Sequence, residues 1–198
     1  MIIERILNFW FEGIDDQTAI DKRKSPFNKW FRRQIQFDDE IRRCFEQDYL
    51  QAKNGQYKSL EEDSRGKLAL ILLFDQFTRN IYRNRVQMYE ADSFALDLSM
   101  RTIQSGGDAK LYLIERVFLY MPLMHSETLA MQDLSVKCFE NLVYESKRIN
   151  PGNSFYYQSH LNHAQKCQDV IKKFSRFPQR NQLLNRDSSI EELEFLRK

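Results

Sequence analysis

The sequence predicts an all-α fold of seven to nine helices paired antiparallel through short connections, and three observations carry that prediction. Six glycines and four prolines among 198 residues are fewer than half of average usage, too few for a protein of many short strands and tight turns. No stretch sustains the apolar-polar alternation of a strand. Apolar residues recur instead at helical spacing, and 15 Phe, 9 Tyr and 2 Trp supply the side-chain area for a packed interior despite a mean hydropathy of -0.62. The length suits one domain over residues 1–198.

The elements follow in order. Ile2, Ile3, Ile6, Leu7, Phe9, Trp10 and Phe11 crowd a first helix that Gly13 can stop in the left-handed conformation. Ser25-Pro26-Phe27 leads to Trp30-Phe31, a short helix with Pro in its first turn. Asp38 or Asp39 can cap the next helix, which carries Ile41, Phe45, Tyr49 and Ala52 inward and stops at Asn54-Gly55. Asp63 and Ser64 can begin another, whose run Leu68 to Phe74 is apolar on every side and belongs at the centre of the fold. It passes directly into Asp75-Gln76-Phe77-Thr78-Arg79-Asn80. A helix from about Met88 uses Phe94, Leu96, Leu98, Met100 and Ile103 and stops at Gly106-Gly107. Leu111 to Met121 reads as a helix interrupted near Pro122, and Ser126 can cap the one that follows. Asn150-Pro151-Gly152-Asn153 is the strongest turn, a helix runs from about Ser154 to Phe174, and Asp187-Ser188-Ser189 with Glu191 and Glu192 announces a last helix through a capping box.

Thirty basic and 28 acidic residues leave a net charge of +2, but the positive excess is local. Gln76 to Tyr89 holds Arg79, Arg83 and Arg85 with no acid, and Lys172 to Arg186 holds Lys172, Lys173, Arg176, Arg180 and Arg186 with no acid. The second stretch includes Phe174 and Phe177, which can stack on bases, yet the low net charge gives little long-range attraction and nucleic acid is not expected as a partner. Cys44, Cys138 and Cys167 are odd in number and widely spaced, as free thiols of a reducing compartment are. The start Met1-Ile2-Ile3-Glu4-Arg5 has no signal-peptide character, and the apolar run Leu68 to Phe74 is far too short to span a bilayer. A cytoplasmic protein without membrane association is the expectation. Phosphate-cradling glycine loops are absent, and no cofactor is expected.

Phe77-Thr78-Arg79-Asn80 and Phe177-Pro178-Gln179-Arg180-Asn181 resemble each other, each placing Arg-Asn just beyond a Phe where a helix gives way. Leu119-Tyr120-Met121-Pro122-Leu123-Met124-His125-Ser126-Glu127 forms a third polar knot. With Leu7-Asn8-Phe9-Trp10-Phe11, the run Leu68 to Asn80 and the run Phe174 to Asn181, these segments make the chain resemble, over nearly its whole length, a largely bacterial domain-of-unknown-function family, number nine-two-four, in the tetratricopeptide-like superfamily. The resemblance implies a helical array and no activity. The family pattern has His at the positions of Cys167 and Gln179, Gly at Ser175 and Asn185, and Pro at Thr78, so any role those His residues serve in relatives is in doubt here.

Two functional readings stand side by side. In the first, Arg79, Asn80, Arg83, Arg176, Arg180 and Asn181 line a cleft that binds an anionic small molecule or an acidic peptide, guanidinium forks taking the charge and the amides adding neutral hydrogen bonds. The same arginines can be structural, pairing with Asp75, Glu127 and helix-end carbonyls. In the second, a small hydrolase or transferase uses Asp75, His125 and Glu127 as base, acid and orienting group, although no nucleophile with a recognisable surround accompanies them and Ser126 reads better as a cap. His160 and His163 share a helical face with Cys167 one turn on, but no local motif supplies a full ligand set, so an exposed polar face and no metal is the expectation.

Overall fold

The computed structural model describes residues 1–197, and among them there is helix and no strand. α1 (Ile2–Phe11), α2 (Phe27–Trp30) and α3 (Ile35–Lys53) form the amino-terminal part. α4 (Ser64–Ile71) runs without a break through a π-helical turn (Leu72–Phe77) into α5 (Thr78–Ile81). α6 (Asp92–Gln104), α7 (Leu113–His125), α8 (Leu129–Ile149), α9 (Ser154–Phe174) and α10 (Ile190–Leu196) complete it. With the α4–α5 run counted once, nine helices stand among the described residues, within the predicted range.

Local chemistry explains most of the ends. The Asp63 carboxylate accepts the Gly66 N–H at 2.9 Å, a cap worth about 1 kcal/mol. Gly66 is required for a second reason: a Cβ there would stand 2.0 Å from the Leu60 carbonyl oxygen, so only glycine lets the preceding turn pack on α4. At α10 the predicted capping box is present, with Ser189 Oγ accepting from the Glu192 N–H at 3.2 Å and Glu192 Oε2 from the Ser189 N–H at 2.7 Å. α1 ends on Glu12 itself, left-handed at φ 52°, with Gly13 following at φ 78°.

Four boundaries differ from the sequence reading. α3 starts at Ile35, because Phe37 must already be helical to stack on Phe9 and Trp10, and Asp38 is therefore a buried first-turn residue rather than a cap. α6 starts at Asp92, the preceding Val86–Tyr89 forming a 3-10 turn. Pro122 lies inside α7 without ending it; the Ser99 hydroxyl donates to the Leu119 carbonyl in the turn beneath the ring at 2.6 Å, an outside partner of the kind that accommodates an interior proline. Ser126 closes α7 and accepts the Thr128 N–H at 3.2 Å, so it shapes the α7–α8 turn and does not cap α8, which begins after Thr128.

Apolar burial forms one continuous cluster from Ile6 to Ala164. Its axis is shared by α4 and α7, and every residue of α7 from Leu113 to Met124 is buried. Phe118 sits edge-on to Trp30, Trp10 and Phe11 at centroid distances of 4.8, 5.5 and 5.5 Å, tying the amino-terminal helices to α7. Beyond α7 the chain packs on its neighbours in sequence, α7 on α8 and α8 on α9. The carboxyl ends of α5 and α7 thereby come together beside α2 and α9, where the polar knots of the sequence meet.

Candidate functional site

The π-helical turn places Asp75, which is fully buried, at the centre of this meeting point. A π-turn spaces its backbone bonds one residue wider than an α-helix, and such turns in mid-helix are rare and concentrated at functional sites. Side chains take up carbonyls around it: Thr78 Oγ1 donates to Phe74 O at 2.8 Å, and Arg79 Nη1 donates to Asp75 O at 2.8 Å. The Asp75 carboxylate is held by Arg79 Nη1 at 3.0 Å, by His125 Nδ1 at 2.6 Å and by the Gln76 amide. Burial pushes its pKa up, but the charges of Arg79 and His125 and these hydrogen bonds outweigh it and hold the carboxyl well below the usual range. An ionised carboxylate only accepts, so His125 Nδ1 carries the proton of this bond.

Two further acids complete the arrangement. Asp92 clasps Arg79 bidentately at 2.9 and 3.1 Å, and Asp38 clasps Arg83 bidentately at 2.6 and 2.7 Å while accepting from Asn80 Nδ2 at 2.7 Å. The two Arg-Asn segments do meet in space. Arg180 Nη1 stands 3.7 Å from Asp92, and its Nη2 donates to the His125 carbonyl at 2.8 Å. Its guanidinium lies over the rings of Tyr89 and Phe177 at 4.8 and 4.7 Å. Burial lowers the Arg180 pKa, against the pull of Asp92 and with the repulsion of Arg79.

The remaining predicted residues face elsewhere. Glu127 does not join Asp75 and His125: it clasps Arg186 at 2.7 and 3.0 Å and accepts the Phe177 N–H at 2.8 Å, contacts that bring its pKa down against the upward push of burial. Arg176 clasps Glu192 of α10 at 2.6 and 2.8 Å, and Asn181 donates to Ser188 Oγ at 3.0 Å. These three bind the carboxyl-terminal segment to the bundle. His160 was expected on an exposed polar face and is instead buried, because it continues the inward stripe of Tyr156 and Ala164 along α9, while His163 remains on the exposed side.

A cleft of about 660 Å³ opens beside Asp75 and His125. Phe27, Trp30, Phe31, Met121, Met124 and Tyr156 contribute its apolar surface. Lys22, Arg32, Arg33, Arg79 and Arg83 line it too, with Gln76, Asn80, Ser159 and all three histidines, and no carboxylate is among the lining residues. Arg79 and Arg83 are engaged by acids behind the wall, whereas Arg32 and Arg33 are exposed and have no acid within ion-pair distance among the described residues. Of the six residues expected to bind an anion, Arg79, Asn80 and Arg83 line this cleft; Arg180 lines a smaller cavity of about 190 Å³ on the other side of His125, with Asp92 and Glu127. Lys22, Arg32 and Arg33 carry no motif and escaped the sequence reading. Asp38 and Asp92 escaped it because their partners are 45 and 13 residues away.

The departures from the family pattern have local accounts. Ser175 and Asn185, where the pattern has Gly, are both left-handed at φ 56°. Thr78 supplies through its hydroxyl a bond to Phe74 O at the position where Pro would leave the backbone short of a donor. Neither Cys167 nor Gln179 lines the cleft; Gln179 is exposed, and burial pushes the Cys167 thiol up to about 11 against the pull of Arg180.

No curated protein matches this chain. Among solved structures, a protein of unknown function from Agrobacterium tumefaciens is similar to it over 98% of this chain and 96% of that one, with 29% sequence identity and a TM-score of 0.79. The model of the family described as "Bacterial protein of unknown function (DUF924)" matches residues 6–198, and the chain belongs to that family.

Proposed function

We propose that the protein is a non-enzymatic binding protein whose cleft takes an anionic small molecule or the acidic end of a peptide. One observation carries the reading: five cationic side chains and no carboxylate line a cleft of about 660 Å³ over an aromatic floor. That volume is within the range of small-molecule sites, and convergent charge on an apolar surface is how such sites fix a ligand's orientation. Arg32 and Arg33 are the anion's partners, since Arg79 and Arg83 are already neutralised by Asp75, Asp92 and Asp38. Thermal unfolding with phosphate, octyl phosphate and an Asp-rich peptide tests this. A ligand at a hundredfold over its Kd adds about 2.7 kcal/mol to native stability and raises the midpoint. Replacing Arg32 and Arg33 together by Glu should abolish the shift with the fold intact, because neither side chain is buried or paired; a shift that survives the double replacement would refute the site.

A second reading is favoured by one contact, His125 Nδ1 to Asp75 Oδ1 at 2.6 Å. A buried carboxylate that fixes an imidazole's tautomer is how a general base is oriented. In a hydrolase or transferase His125 would draw a proton from water or a hydroxyl, with Asp75 stabilising the imidazolium, while Glu127 would act only through the carboxyl-terminal segment. Absence of turnover across ester and phosphoester panels, with binding retained, selects the first reading.

The tetratricopeptide-like arrangement, a single domain and a cytoplasmic location belong to the same proposal. Sequential packing of α7, α8 and α9 supports the first, the continuous core the second, and three free cysteines the third. No helix among the described residues is long and apolar enough to cross a membrane.

A further inference from the structure

We propose that the anion taken by the cleft carries a planar heteroaromatic ring, the chemistry of a nucleoside monophosphate, with the ring beside Phe31, Tyr156 and His160 and the phosphate at Lys22, Arg32 and Arg33. The inference rests on the anion-binding reading above and names its ligand class. Its first support is the kind of apolar surface present: the lining residues are Phe, Trp, Tyr and Met, with no Leu, Ile or Val among them. Rings and thioethers favour a flat π-system through offset, edge-on and sulfur-aromatic contacts, and base-aromatic stacking contributes about 1–3 kcal/mol per base.

His160 is the second support. Its residue is only 8% exposed, it lines the cleft, and among the described residues its imidazole makes no hydrogen bond to the protein. It stands instead in a box of rings, with centroids of Tyr156, Phe31 and Phe139 at 4.7, 5.4 and 6.0 Å. Burial, helped by His163 and Lys22, pulls its pKa down to about 3, so at neutral pH it offers one donor and one acceptor. Its nitrogens have no protein partner at the cleft wall, and a ligand ring that carries a donor or an acceptor can satisfy one of them. The third support is Phe31, which lines the cleft and is 54% exposed although its neighbours Phe27 and Trp30 are buried, an aromatic face open to a stacking partner.

Calorimetric titration of the full chain with the four common ribonucleoside monophosphates, octyl phosphate, inorganic phosphate and a single-stranded DNA decamer tests the proposal. At least one mononucleotide should bind tenfold or more tightly than octyl phosphate or phosphate, and no more weakly than the decamer. His160→Phe keeps the ring and removes both nitrogens; it should weaken that mononucleotide at least tenfold and leave octyl phosphate unchanged. Phe31→Leu, at an exposed position, gives the same contrast should the first variant lose its helical circular dichroism. Octyl phosphate binding as tightly as every mononucleotide overturns the ring preference and leaves the anion site standing. A decamer that binds more tightly overturns the mononucleotide assignment; a panel without any binding overturns it too, and overturns the anion-binding reading as well if the Asp-rich peptide also fails to bind.

Discussion

The two Arg-Asn segments have nearly the same letters and opposite employment. Arg79 and Asn80 sit in a helix that never breaks, held by Asp75, Asp92 and Asp38, and present their outer faces to the cleft. Arg180 and Asn181 sit past the end of α9, at the close of a 3-10 turn, and turn inward, onto the His125 carbonyl, the rings of Tyr89 and Phe177, and Ser188. A guanidinium clasped bidentately by one acid and backed by a second that is fully buried has its charge answered within the fold. One stacked between rings and donating to a carbonyl depends on packing. The motif therefore specifies what the residue can do, and the acids supplied from elsewhere decide what it does.

Arg79→Met is the sharpest way to break the contrast. Asp75 would be left buried with His125 and the Gln76 amide but without its guanidinium, and removal of one partner of a buried pair costs about 3–5 kcal/mol. Arg180→Met, by contrast, orphans no carboxylate, because Asp92 keeps both bonds to Arg79; losing the ring contacts and one carbonyl bond should cost about 1–2 kcal/mol. Urea unfolding of the two variants in parallel checks this, and equal losses would show the two arginines to be equivalent.

Titration should act on the cleft side. His160 is neutral when folded, with a pKa near 3, and takes up a proton on unfolding below about 6.5. Because its folded value is the lower one, stability falls as pH drops, by up to about 1.4 kcal/mol per unit from pH 6 towards 4. His160→Phe should flatten that slope. Asp38 and Asp75, whose folded values are also lowered, add their loss only below about pH 4, the ordinary carboxylate range.

The smallest effect concerns the second segment's flanks. Ser175 and Asn185 both hold φ 56°, where a Cβ is disfavoured and glycine is not. Ser175→Gly should be neutral to stabilising by up to about 1 kcal/mol, less whatever entropy glycine restores to the unfolded chain. A loss of stability would mean that the Ser175 side chain contributes to holding α10.

Signals that act over one helical turn were legible in the residues. The Asp63 cap, the Ser189–Glu192 box and the Asn150 to Asn153 turn lie where sequence places them, since each is settled by a hydrogen bond between near neighbours. The cluster of Asp75, Arg79 and His125 was also legible in its members, though not its exclusion of Glu127, which is set by Arg186 from 59 residues away. Asp38 looked like a cap because an aspartate ahead of an apolar-periodic run has that meaning locally; its partner Arg83 lies 45 residues on, in the turn after α5. His160 was misassigned as surface because helical periodicity gives a face but not which neighbour covers it.

The π-turn has a consequence for how this chain can vary in length. Each α-helical residue advances the chain by about 100°, so deleting one residue from an ordinary helix swings everything after it by that angle. Between Leu72 and Phe77 the helix carries a spare residue, and a single deletion there would restore regular bonding. Arg79 and Asn80, on the helix beyond it, would then rotate together away from Asp92, Asp75 and Asp38. The insertion thus holds the cleft wall in register at the expense of the best helix, and a codon gained or lost in this stretch is the smallest inherited change able to dismantle the site while leaving every side chain of the wall in place.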